Sequence, residues 1–198
     1  MKLPRFARLP RFGASKLINQ WLLALLALSI IANFDGGFIW GRCALIPSRV
    51  WLGEVWRLIT WPLVEPGVVT LILTCVSLYR FGNDLGVRWG DARLQRYMIH
   101  VLAGAGVATV LAAAVLGYSR FGWLGGWAVA DALVIAWARQ FPAQPVSIYG
   151  LHMSGERLVQ FVLGANVLYA IFLGPIHMLP ELAASGLAAY YPRAWLRR

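Results

Sequence analysis

Gly53-Glu54-Val55-Trp56-Arg57-Leu58-Ile59-Thr60 sets two opposite charges among apolar and aromatic side chains in a segment that joins two much longer apolar runs. The whole connection, Phe34 to Pro66, shares this character through Phe38, Ile39, Trp40, Leu45, Ile46, Trp51, Leu52 and Val55. A solvated loop does not look like this. Trp and Leu interleaved with Arg49, Glu54 and Arg57 suit a chain lying in the plane of a membrane interface, its apolar edge sunk among headgroups.

Outward from this segment the sequence reads as membrane protein. Of its 198 residues 60% are hydrophobic and only 13% charged, with a mean hydropathy of +0.64. A water-soluble core of this size could not hide so much apolar surface. Ten Trp, seven Tyr and nine Phe supply aromatic anchors for two interfaces. A span needs about 20 largely apolar residues. Six segments qualify: Leu17 to Asn33, Gly67 to Gly86, Tyr97 to Tyr118, Leu124 to Phe141, Leu158 to Leu173 and Ile176 to Tyr191. Pro175 and Pro180 predict an irregular first turn for the last. The expected fold is therefore an all-α membrane bundle of six helices over 17–191, with an interfacial loop at 34–66, a basic arm at 1–16 and a basic tail at 192–198.

Basic residues set the orientation. The arm (Arg5, Arg8, Arg11, Lys16), the second-to-third connection (Arg80, Arg88, Arg93, Arg96), the fourth-to-fifth (Arg139, Arg157) and the tail (Arg193, Arg197, Arg198) are rich. The other connections carry only Arg42, Arg49, Arg57 and Arg120. An even number of spans puts all the rich segments on one side, so both termini are expected in the cytoplasm, and the expected location is the bacterial inner membrane. The arm resembles a signal peptide, but the apolar run after it is too long and no cleavage site follows, so it reads as an uncleaved first helix. The net charge of +10 is scattered between apolar runs instead of forming a stripe, which argues against nucleic acid. Cys43 and Cys75 are not expected to form a structural disulfide, and Cys75, in an apolar run, is a poor nucleophile.

The string Gly53 to Thr60 is similar to the G-x-x-W-R-L-(I/L)-T signature that rhomboid proteins carry between their first and second helices. Phe81-Gly82-Asn83-Asp84-Leu85, followed by Gly90, resembles the family pattern F-G-x-x-L-E-x-x-x-G, with Gly86 where the family has Glu. Phe141-Pro142 before Val146-Ser147-Ile148-Tyr149 looks like the family's exit from the fourth helix. The resemblance covers roughly residues 53–191. It marks Trp56, Arg57 and Gly82 as motif residues and implies a six-helix rhomboid-like fold.

Rhomboid proteases cut peptide bonds within the membrane, using a serine on the fourth helix, a histidine on the sixth, and a second-helix His and Asn that hold the oxyanion. A hydroxyl must touch a base, and donors must face the developing charge. Aligned here, the nucleophile falls on Gly126, Trp127 or Ala128, and the second-helix pair on Thr70 and Thr74. No register supplies a serine. On the sixth helix two registers compete, one with His177 at the histidine position and one with Glu181, the latter preferred because Leu182-Ala183-Ala184 and Ala188 then resemble the family's small residues.

One further charge stands out. Asp131 lies within the fourth helix, where a carboxylate is costly enough to mark a functional position; His100 and His177 are its candidate partners. Asn166 and Gln160 read as hydrogen-bond glue between helices. One histidine per region makes no metal site, and no cofactor is expected. Three functions follow. The first is a pseudoprotease, without catalytic residues, that binds lipid and the transmembrane helices of client proteins. The second is an active rhomboid-type serine endopeptidase with another nucleophile, Ser154 or Ser185, brought near His177 or His152. The third is a small transporter centred on Asp131.

Overall fold

All six apolar segments fold as helices, and their boundaries are set by local chemistry as much as by hydropathy. The computed structural model describes residues 15–148 and 151–191. The expected arm up to residue 14, the expected tail at 192–198 and Tyr149 of the fourth-helix exit lie outside the described residues. Helix α1 (Lys16–Ala32) starts at Ser15, whose backbone is extended and whose Oγ accepts the Ile18 N–H at 3.2 Å. The same hydroxyl donates to Asp91 at 2.7 Å, and the other Asp91 oxygen accepts the Leu17 N–H. Asp91 opens helix α7 (Asp91–Val115), so one carboxylate serves two helix N-termini and ties α1 to α7.

The interfacial loop is built from α2 (Phe38–Cys43), α3 (Pro47–Trp51), α4 (Arg57–Thr60) and a 3₁₀ turn at Trp61–Leu63. Arg57 holds it together. Its buried guanidinium donates to Glu54 at 2.6 Å, to Ala44 O at 2.6 Å and to Gly41 O at 2.7 Å. The planar fork matches three acceptors that a lysine could not satisfy together. Phe38, Trp51, Leu52, Val55 and Trp56 point outward, while Leu45 pairs with Trp123 through two backbone bonds and fastens the loop to the entrance of α8. An apolar outer face with arginines at its rim is what an interfacial segment requires.

Next, α5 (Val68–Ser77), a π-turn at Leu78–Gly82 and α6 (Asn83–Trp89) run on as one helix of 22 residues, followed by α7 (Asp91–Val115). Gly82 lies where α1 crosses: a Cβ there would stand 2.6 Å from Ile18 Cδ1. Helix α8 (Trp127–Gln140) occupies the centre, with every residue from Ala128 to Ala138 buried. A two-stranded hairpin, β1 (Pro145–Ile148) against β2 (Leu151–Ser154), then leads into α9 (Gly155–Leu173), and α10 (Leu179–Tyr190) packs on both α7 and α8. The sequence pattern does not anticipate this hairpin.

The helices differ in length, and this bears on the expected six spans. Among the described residues three helices are long and apolar enough to cross a membrane: Val68–Trp89, Asp91–Val115 and Gly155–Leu173. Lys16–Ala32 is apolar but shorter. At 1.5 Å per residue α8 and α10 are only about 20 Å long, short of a hydrocarbon core of about 30 Å. Short helices are tolerated where protein satisfies their ends. Gly126 N–H at the start of α8 is taken by Glu65, and Arg139 caps the last carbonyls of α10 at Ala188 and Tyr191, each at 2.8 Å.

Candidate functional site

The start of α8 is where the aligned protease positions converge. After the 3₁₀ turn the chain reaches Glu65, whose backbone N–H donates to Ser29 Oγ of α1 at 2.9 Å and whose side chain turns inward. Glu65 Oε2 accepts the Gly126 N–H at 2.6 Å. A carboxylate on the free N–H groups of a helix N-terminus meets both the donors and the positive end of the helix dipole. Thr70, whose hydroxyl donates to Gly67 O at 2.9 Å, lies near this carboxylate. Thr74 is fully buried beside it, with its Oγ1 lacking a partner.

Gly126 is glycine because nothing larger fits. A Cβ there would stand 2.8 Å from Thr74 Cγ2, 3.2 Å from Pro62 O and 3.3 Å from Leu25 Cδ1. Thr70, Thr74 and Gly126 thus lie together, with Glu65 among them. Trp127 opens the helix half-buried, and Ala128 is fully buried. Gly126, Trp127 and Ala128, the aligned nucleophile positions, carry no hydroxyl or thiol.

The two sixth-helix residues separate. Glu181 lies on the buried face of α10 with one carboxylate oxygen unpaired. His177 is exposed in the turn before α10, its ring edge-on to Phe121 at 5.0 Å.

Asp131, one turn into α8, has neither of its expected histidine partners; His100 is exposed on α7. Its Oδ2 accepts the Asn166 side-chain amide of α9 at 2.6 Å and the Ser185 hydroxyl of α10 at 3.3 Å, and the same Asn166 nitrogen donates to Ser185 Oγ at 2.9 Å. All three residues are buried. Three helices are therefore joined by one polar cluster, the usual means of fixing helix register where no hydrophobic force distinguishes neighbours. Ser185 has a carboxylate and an amide for company rather than an imidazole. Ser154 caps α9 by accepting the Arg157 N–H, and His152 is exposed on the hairpin. Gln160 is exposed on α9.

Beside the cluster a narrow cleft of about 70 Å³ lies between the helix Val68–Trp89 and α9. Ser77 and Phe81 form one wall, Phe161 and Ala165 the other, and Asp131 and Asn166 supply polar groups to an otherwise mostly apolar lining. Helix α9 packs on α8 and α10, while its far side exposes Val167, Leu168, Ile171 and Phe172.

The motif residues of the interfacial loop play structural parts. Arg57 is the buried staple, whereas Trp56 is exposed, its indole donating to Arg42 O at 3.4 Å. Glu65 is the functional position that sequence reasoning missed. A carboxylate in the apolar approach to a span is the same warning sign that singled out Asp131.

A model of the family described as "Eukaryotic integral membrane protein (DUF1751)" matches residues 16–195. The chain belongs to this family. No curated protein matches it. DUF1751 membership establishes an integral membrane protein and corrects the expected location: the family is described as eukaryotic, which overturns the bacterial inner membrane. Hydropathy and the placement of arginines register a bilayer and its two sides, and they carry no mark of which cell the bilayer belongs to.

Proposed function

We propose that this DUF1751 protein is a rhomboid-like six-helix membrane protein that has lost protease chemistry and holds transmembrane segments of client proteins at the cleft between α5 and α9. The position of that cleft between two apolar helices supports the reading, because a client helix packed beside them would reach it without leaving lipid. Helix association in membranes needs close packing and a few polar groups, not a catalytic serine. The rhomboid-like assignment rests on the string Gly53 to Thr60 and on the meeting of Thr70, Thr74 and Gly126 at the start of a short, buried fourth helix. In the six-helix reading, α8 and α10 cross in the company of longer neighbours. Lipid and client helices are the partners.

In the peptidase alternative Ser185 has no histidine beside it among the described residues. Ser185 is bonded to Asp131 and Asn166, and His177 faces outward. In the family's mechanism a histidine takes the hydroxyl proton and then gives it to the leaving amine.

Photo-crosslinking tests the binding reading. A photoreactive phenylalanine is placed at Phe161, on the cleft, or at Ile171, an exposed position outside it, in liposomes that also hold a single-span test protein. An adduct from position 161 well above that from 171 is expected. Equal yields at both sites would mean random collision in the bilayer and would overturn the proposal.

A further inference from the structure

We infer that the client segments held at the cleft carry a cationic side chain within the membrane, and that Asp131 receives it; this rests on the binding function proposed above. The hydrogen-bond inventory of the cluster points this way. Asn166 Nδ2 has two hydrogens, and both are used, one on Asp131 and one on Ser185. The Ser185 hydroxyl has one, and it goes to Asp131. Both bonds to Asp131 end on Oδ2, and among the described residues Oδ1 accepts none. The donors are spent while acceptors remain, so the group that complements the ionised Asp131 is a donor.

Charge argues the same. No Lys, Arg or His lines the cleft, and among the described residues Asp131 has no ion-pair partner. A carboxylate shielded from water ionises at least cost when a cation is brought against it. A lysine or arginine inside a bilayer carries the complementary penalty, and pairing relieves both.

Geometry selects the form of the partner. A cleft of about 70 Å³ admits the end of a side chain and not a helix. The client backbone therefore lies outside, against the half-exposed Phe161 and Trp127, and sends one long side chain inward past them. Lysine and arginine have flexible apolar stems suited to that path.

Binding of synthetic helices to the full chain in phosphatidylcholine nanodiscs tests this. Three apolar helices of about 20 residues differ only at the central position, which is Leu, Lys or Glu. The Lys helix is expected to bind about tenfold more tightly than the Leu helix. Asp131→Asn should abolish that preference. Equal binding of the Lys and Leu helices to the wild-type chain overturns the inference and leaves the binding function standing. Tighter binding of the Glu helix than the Lys helix also overturns it. Failure of all three helices to bind overturns both. The decisive comparison uses the wild-type chain, so it does not depend on the folding of the Asn variant.

Discussion

The Glu65 carboxylate accepts the backbone N–H of Gly126 at 2.6 Å, so the N-terminus of the central helix is closed by a residue from the far end of the interfacial loop. Their separation of 61 positions makes this a fastening between loop and bundle. Glu65→Ala leaves a buried N–H without a partner and is expected to cost about 1–3 kcal/mol. Glu65→Gln keeps an acceptor in place and should cost less. Thermal unfolding of both variants in one detergent checks the order.

Gly126 and Thr74 should be coupled. Gly126→Ala drives a methyl to within 2.8 Å of Thr74 Cγ2 and is expected to destabilise by about 1–3 kcal/mol. Thr74→Ser removes the opposing methyl. The double variant should recover part of the loss, and a double-mutant cycle measures the interaction. Strict additivity would mean that the strain is relieved elsewhere.

Arg57→Lys should damage the loop nearly as much as Arg57→Ala. A single ammonium cannot reach Glu54, Ala44 O and Gly41 O in the geometry that the guanidinium fork satisfies. A loss of about 2–3 kcal/mol is expected for each. Limited proteolysis between α1 and α5 reports it directly.

The Arg57 partner also gives a pH signature. The hydrogen bond from Arg57 holds the Glu54 carboxyl below its usual value. A lowered folded-state value contributes stability at neutral pH, and that contribution is lost as pH falls through it. The stability difference between wild type and Glu54→Gln should be flat from about pH 6 to 8 and should close below about pH 4. A difference that widens in acid would contradict the pairing.

Much of the fold is legible in the sequence, because long apolar runs have few alternatives. Each of the six apolar segments largely coincides with helix, and the Trp-rich stretch before Pro66 folds as a series of short helices. Length was harder to read. The segment from Leu124 includes the extended Leu124-Gly125, and a turn takes the place of its N-terminal helix, since Gly125 adopts φ 144° beside the Glu65 carboxylate. The hairpin at 145–154 is too short for hydropathy to reveal. Sequence reading found Asp131 from the cost of burying it, but not its partners, since Asn166 and Ser185 lie 35 and 54 positions away and only packing brings them near. Glu65 stayed hidden because its role depends on a backbone N–H, which no side-chain pattern encodes.

The claim that this protein binds membrane helices and does not cut them is tested most directly with one single-span reporter followed by two readouts. Purified protein is incubated in liposomes with the reporter and a fluorophosphonate probe. The reporter is expected to co-purify intact, and no serine should be labelled. Cleavage of the reporter within its span, accompanied by a probe adduct on Ser185 and abolished by Ser185→Ala, would contradict the account.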